Sequence, residues 1–169
     1  MCSSDLARKI ELIDALSRTG LKSIATVSFV NPKRVPGMAD AEQVIAGITP
    51  NPDVTYSALA LNDQGIERAL ATKRVKVGGA ILLVATDTFA IKNLNKNKAE
   101  QLAAQPSMIE MVTRHGLKID TVGIMAAFGC NYEGIVAPQT VLDLIADGIV
   151  VAKDNGVTNR KSTRLNSSH

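Results

Sequence analysis

The chain has 169 residues, 46% hydrophobic and 21% charged, a profile that fits a globular domain with a real core and excludes a disordered or fibrous chain. Aromatic residues make up only 3% and Trp is absent, so the core must be aliphatic, which favours buried parallel strands covered by helices over a β-sandwich. The net charge of +3 carries no nucleic-acid signal, because Arg160, Lys161 and Arg164 in the last ten residues account for all of it. No apolar run approaches the roughly 18 residues that span a bilayer, and the start lacks the basic-then-apolar pattern of a signal peptide. Two cysteines, Cys2 and Cys130, are too few for a disulfide framework. A cytoplasmic location, with no membrane and no nucleic-acid partner, is the expectation.

Residues 160–169 lack apolar periodicity and, like residues 1–6, resemble translated adapter sequence, so both are set apart from a domain expected over 7–159. A disordered basic tail and a Ser/Asp helix cap are the plainer alternatives. Within the domain, Ile10, Leu12, Ile13 and Leu16 predict a helix over 7–19, stopped by Gly20. Ile24, Val27, Phe29 and Val30 predict a strand over 22–30 that opens into a polar, Pro-containing loop, 31–37. Asp40 can cap a helix to about 48, which Gly47, Pro50 and Pro52 end. A strand over 54–61 follows. Asn62 then caps a helix to about 72, with Ile66, Ala69 and Leu70 on one face. The most continuous apolar strand is expected over 77–85. A polar loop leads to one long helix over 98–115, ended by Gly116. A fourth strand, 119–127, precedes a Gly-containing loop over 128–134, and Pro138 opens a last helix over 139–155, stopped by Gly156.

This alternation predicts an α/β fold with parallel strands and right-handed crossovers, either a doubly wound sheet or part of a TIM (β/α)₈ barrel. There is no Gly-x-Gly-x-x-Gly and no phosphate loop; Gly78-Gly79 precedes a strand instead of opening a helix. In either architecture ligands meet the carboxyl ends of the strands, here segments 28–36, 61–63, 86–93 and 128–134. Two of these are long and mix rigid Pro or Gly with polar groups, the character of functional loops.

Those segments carry a specific resemblance. Ser28-Phe29-Val30-Asn31-Pro32-Lys33-Arg34-Val35-Pro36 with Met38-Ala39-Asp40 resembles the loop after the second strand of 3-hydroxy-3-methylglutaryl-CoA lyases. Thr88-Phe89 with Lys92-Asn93 resembles that family's loop after the fourth strand, and Ala127-Phe128-Gly129-Cys130 with Tyr132-Glu133-Gly134 its loop after the fifth. The resemblance covers nearly all of residues 8–158. It implies about four parallel βα units, the second to fifth of a partial TIM barrel that by itself would be short of the roughly 250 residues typical of the fold. It further implies a divalent metal, Mg²⁺ or Mn²⁺, that polarises the oxygens of an acyl-CoA substrate, and a retro-Claisen cleavage to acetyl-CoA and acetoacetate.

The family's Arg-Asp pair, His-x-His metal pair, catalytic cysteine and metal-binding Asn have no counterparts within the matched stretch, so no catalytic and no metal-ligating residue is assigned, and a fragment inactive alone is expected. The two histidines, His115 and His169, cannot form a metal-ligand pair, and His115 fits a helix end favoured by the dipole. The sequence departs from the family pattern at Ala25, where a Glu is usual, at Gly37, Thr121 and Asn131. Ser28 and Asn93 are the retained residues placed nearest the substrate; the alternatives are that Ser28 ends a strand and Asn93 shapes a turn. Cys130 has no histidine to activate it and fits a small loop residue. Lys33 and Arg34 would either meet CoA phosphates or stay solvated. Two other functions stand beside the lyase: another metal-dependent aldolase or Claisen condensing enzyme, and a non-catalytic half-barrel that self-associates through open sheet edges.

Overall fold

A computed structural model describes residues 3–157; the tail set apart above at 160–169 lies outside them, as do residues 1 and 2. Contacts divide the chain into two compact units, Met1–Gly78 and Gly79–His169, where the sequence suggests one domain over 7–159. Among the described residues no helix is long and apolar enough to cross a membrane.

In the first unit α1 (Ser3–Ser17) precedes β1 (Ser23–Phe29), a 3-10 turn at Pro36–Met38, α2 (Ala41–Gly47), β2 (Thr55–Ala60), α3 (Asp63–Ala71) and the two-residue β3 (Lys76–Val77). The helix α1 thus includes residues 3–6 of the segment set apart from the fold. The strands form a parallel sheet in the order β1-β2-β3. Its helix-covered face buries Ile24, Val27 and Phe29 of β1 with Tyr56 and Ala58 of β2, against Val44, Ile45 and Ile66 from α2 and α3. Each fully buried aliphatic or aromatic side chain contributes roughly 1.5–3 kcal/mol. The Asn62 cap forms as expected, its side chain accepting the Gly65 N–H at 2.8 Å. Asp40 occupies the cap position of α2 but makes no capping bond; its buried carboxylate accepts instead from Lys9 Nζ of α1, 3.0 Å from both oxygens.

The second unit contains β4 (Gly79–Val84), α4 (Asp87–Leu94), α5 (Lys98–Ala103), α6 (Gln105–Arg114), β5 (Ile119–Met125) and α7 (Pro138–Asp154). β4 and β5 pair in parallel. The single strand expected over 77–85 is divided at Gly78, its first part pairing with β2 and the rest with β5. Similarly, the long helix expected over 98–115 is two helices that break at Ala104. Pro106 is the cause, since it has no N–H to donate and its ring collides with the carbonyl four residues back. The polar loop expected after Ala85 is the helix α4. Alternate residues of β4 turn toward β5, as the Gly79 and Ala85 N–H bonds to Lys118 and Met125 show, so Leu82 presents its carbonyl to the opposite edge. There the buried Gln101 and Gln105 side-chain amides donate to it, which closes part of that edge without another strand.

Candidate functional site

The carboxyl ends of β4 and β5 carry a cleft in the second unit. It measures about 470 Å³ and is walled by Phe89 and Asn93 of α4 and by Phe128, Cys130 and Tyr132 of the loop after β5, with Ala126 at its floor. The chain turns out of β5 through Ala126, whose left-handed φ of 55° costs about 1–2 kcal/mol in a residue with a Cβ. The Ala126 carbonyl accepts the Gly129 N–H at 3.1 Å, closing a tight turn. Gly129 has φ 135°, and a Cβ there would lie 2.5 Å from the Gly134 carbonyl oxygen, so only glycine serves. Cys130 and Gly134 then exchange backbone hydrogen bonds of 3.0 and 2.9 Å, pinching residues 130–134 into a small closed loop.

Two side chains tie that loop to the segment after β4. Thr86, buried at the β4 end, donates its hydroxyl to Cys130 Sγ at 3.3 Å. The Glu133 carboxylate accepts the Thr88 N–H at 2.6 Å, at the start of α4 where the helix dipole favours negative charge. The Thr86 hydroxyl, helped by the Glu133 N–H at 3.4 Å, holds the Cys130 thiol pKa below its ordinary value, against the opposing pull of partial burial and of the nearby Glu133 charge. Lys92 Nζ sits 5.1 Å from the centroid of the Tyr132 ring, placing a cation on the aromatic rim.

Asn93 therefore lines the cleft, although it is a helical residue and does not shape a turn. Its amide donates to the Phe89 carbonyl at 3.0 Å, which leaves one N–H and the carbonyl oxygen for other partners. Ser28 belongs to the first unit, half-buried near the end of β1 on the face turned from the helices. Lys33 and Arg34 are exposed in the turn that follows β1, where Asn31 accepts N–H bonds from Lys33 and Arg34. His115 is the C-cap of α6. Among the described residues no three His, Cys, Asp or Glu side chains converge where a metal ion could be held, so the donors present do not fit the divalent metal that the resemblance implies. Neither Thr86 nor Glu133 was singled out as a site residue from the sequence; Thr86 was marked only by closing an apolar strand, and Glu133 only by its place in the Tyr132-Glu133-Gly134 motif.

No family model matches the chain. Curated relatives do. Over 137 residues the chain is 38% identical to the 3-hydroxy-3-isohexenylglutaryl-CoA/hydroxymethylglutaryl-CoA lyase of Pseudomonas aeruginosa, a match covering 81% of this chain and 45% of that protein. It is 39% identical over 133 residues to the cytoplasmic 3-hydroxy-3-methylglutaryl-CoA lyase of Danio rerio (79% and 39% covered), and 36% identical over 138 residues to the mitochondrial hydroxymethylglutaryl-CoA lyase of Homo sapiens (80% and 41%). Among solved structures, the HMG-CoA lyase of Brucella melitensis superposes with a TM-score of 0.73 at 31% identity, covering 95% of this chain and 53% of that one. An HMG-CoA lyase of Acinetobacter baumannii in complex with coenzyme A and 3-methylmalate superposes with a TM-score of 0.69 at 28% identity, covering 92% and 48%. The chain thus spans less than half the length of these curated relatives. Those neighbours are TIM barrels, so the parallel βα units described above are barrel units, in open sheets here. Over the shared stretch, the chain belongs to the 3-hydroxy-3-methylglutaryl-CoA lyase family.

Proposed function

We propose that this chain forms the acyl-CoA-holding segment of a carbon–carbon lyase that cleaves 3-hydroxy-3-methylglutaryl-CoA to acetyl-CoA and acetoacetate. The cleft at the β4 and β5 ends carries this reading. It lies where a (β/α) fold meets its ligands, and it joins apolar walls to spare amide groups. A pantetheine arm alternates methylene stretches with amides, and Phe89, Phe128 and Tyr132 suit the former as the free valences of Asn93 suit the latter. The coenzyme A complex of the Acinetobacter baumannii lyase supports an acyl-CoA ligand for the family.

In the cleavage, the tertiary hydroxyl loses its proton, the adjacent carbon–carbon bond breaks, and the electron pair passes to an acetyl-CoA enolate that is then protonated. A Mg²⁺ or Mn²⁺ ion in the intact family would stabilise charge on the substrate oxygens. The described residues supply no donor set for it, so their part is to bind and orient the thioester. A cytoplasmic location is part of the same proposal and has the support of relatives named cytoplasmic in Danio rerio and Mus musculus, although the human relative is named mitochondrial.

Titration of the isotope-labelled chain with coenzyme A tests this reading by NMR. Amide shifts at Asn93, Gly129 and Cys130, weakened by F128A, are expected. Absence of shifts there at millimolar coenzyme A, or equal shifts with F128A, would overturn it. A parallel assay of the chain with 3-hydroxy-3-methylglutaryl-CoA and Mg²⁺ is expected to show no cleavage.

A second reading, assembly with another copy, is favoured by Leu59, 45% exposed on the helix-free face of β2, and Leu61, 44% exposed just beyond that strand. Sedimentation showing a strictly monomeric chain at high concentration would remove it.

A further inference from the structure

Along β1 the side chains buried under the helices are Ile24, Val27 and Phe29. Side chains of a regular strand alternate between faces, so residues 24 and 27, three apart, cannot share one face. The pairing with β2 shows how they do. Ala25 stands opposite Ser57 and Val27 opposite Ala58, with Thr26 left over as the extra residue of a β-bulge. Two side chains stitch the strands at this point. Thr26 Oγ1 donates to the Ser57 carbonyl at 2.9 Å, and Ser57 Oγ donates back to the Ile24 carbonyl at 3.4 Å. Past the bulge Ser28 stands opposite Leu59, and Ser28 shares with Ala25 the face that the helices leave uncovered.

We infer that Thr26 is a positioning residue, whose hydroxyl holds the bulge that turns Ser28 onto the helix-free face of the sheet. If Ile24 stayed in the core and the ladder ran unbroken, Ser28 would point into the helix layer, with Val27 and Phe29 outside. Thr26 suits the task because its β-branched side chain is stiff at χ1 and its hydroxyl reaches a neighbouring carbonyl. That Ser28 lies near the substrate is what the family resemblance implies; the control of its direction does not depend on it.

The test uses S28C as a reporter, with the rate of iodoacetamide labelling at that position read by peptide mass mapping in the folded chain. Relative to S28C alone, S28C/T26V is expected to label about three- to tenfold more slowly, or in two phases, as the register becomes mixed. S28C/T26S, which keeps the hydroxyl, is expected to label at the S28C rate. Equal labelling of S28C and S28C/T26V, with only a lower Tm, would overturn the inference, because packing alone would then hold the bulge. Should T26V fail to fold, nuclear Overhauser contacts in the unsubstituted chain decide: Val27 across from Ala58 with Thr26 unpaired is expected, and Thr26 across from Ala58 would overturn it. No ligand enters these measurements, so a chain that binds no coenzyme A sinks the proposed function and leaves this inference standing.

Discussion

The Thr86 hydroxyl lies 3.3 Å from Cys130 Sγ and donates to it, joining the end of one strand to the loop that follows the next. A thiolate accepts that bond more strongly than a thiol does, so the contact both fixes the loop and lowers the thiol pKa. T86V keeps the shape and removes the donor. The pH–rate profile of Cys130 alkylation, followed by peptide mapping, is expected to move to higher pH and the rate at neutral pH to fall. An unmoved profile would assign the shift to the loop's backbone N–H groups.

Glu133 closes the same loop from its other side. Its bond to the Thr88 N–H satisfies a donor in the first turn of α4 that no helical carbonyl can reach. E133A is expected to cost about 1 kcal/mol in a denaturant titration, the usual scale of a lost helix cap, and to weaken coenzyme A binding by loosening the cleft wall. E133Q, which still offers a carbonyl oxygen, should recover most of the stability. If E133A changes neither quantity, the Cys130–Gly134 pairing alone holds the loop.

At Gly129 the backbone itself is the constraint. With φ at 135° and the Gly134 oxygen 2.5 Å from the site of a Cβ, G129A is expected to destabilise the chain by about 1–3 kcal/mol and to broaden the amide signals of Cys130 and Gly134. Equal stability with sharp signals would show that the turn can rearrange.

The strands were legible because each is an apolar run between turn residues: those expected over 22–30, 54–61 and 119–127 lie at Ser23–Phe29, Thr55–Ala60 and Ile119–Met125. The cap at Asn62 was equally plain, since the residue type needed there is narrow. Less visible was α4, whose Asp87–Leu94 segment mixes Thr, Phe, Ile and Asn, all modest helix formers, and whose cap residue Thr86 spends its hydroxyl on Cys130 instead of the helix. Asn93, for which a turn was the alternative to a place beside the substrate, is accordingly a helical residue. Pro106 announced a break that the surrounding apolar spacing masked. The bulge at Thr26 was written in the spacing of Ile24, Val27 and Phe29, which is irregular for a strand, yet which residue is left over depends on the facing strand. The Thr86, Cys130 and Glu133 contacts join segments up to 45 residues apart, and no local pattern encodes them.

Lys9 and Asp40 make a pair in which the burden falls on the buried acid. Lys9 also donates to the Gly37 carbonyl at 2.6 Å, so K9M strips partners from both groups. A loss of about 1–3 kcal/mol is expected, less than for a fully buried pair because Lys9 is partly exposed, and K9M/D40N should recover part of it. The Lys9 pKa is raised, chiefly by its hydrogen bond to Asp40. Its contribution is therefore complete below the unfolded lysine pKa of about 10.4 and lost as pH rises through the folded value. Urea melts between pH 8 and pH 11.5 should show this alkaline loss in the parent chain and lack it in K9M.

Glu42 and Arg68 set the opposite, acidic limb. Arg68 clamps the Glu42 carboxylate with N–H bonds of 2.6 and 2.8 Å while its guanidinium lies 5.5 Å from the Phe29 ring centroid, so the pair braces α2 against α3 over the core. The Arg68 hydrogen bonds lower the Glu42 pKa below its ordinary value. The sign follows: the contribution is present above the unfolded glutamate pKa of about 4.3 and disappears as pH falls through the depressed folded value. Glu42 is 44% exposed, so solvent screening limits the effect to about 0.5–1 kcal/mol. E42Q should lower stability by that amount at pH 7 and by progressively less as pH falls below about 4.3, making its urea-midpoint profile flatter than the parent's on the acidic side. Parallel profiles for the two chains would show that the pair contributes no net stability and that the acid limb belongs to other carboxylates.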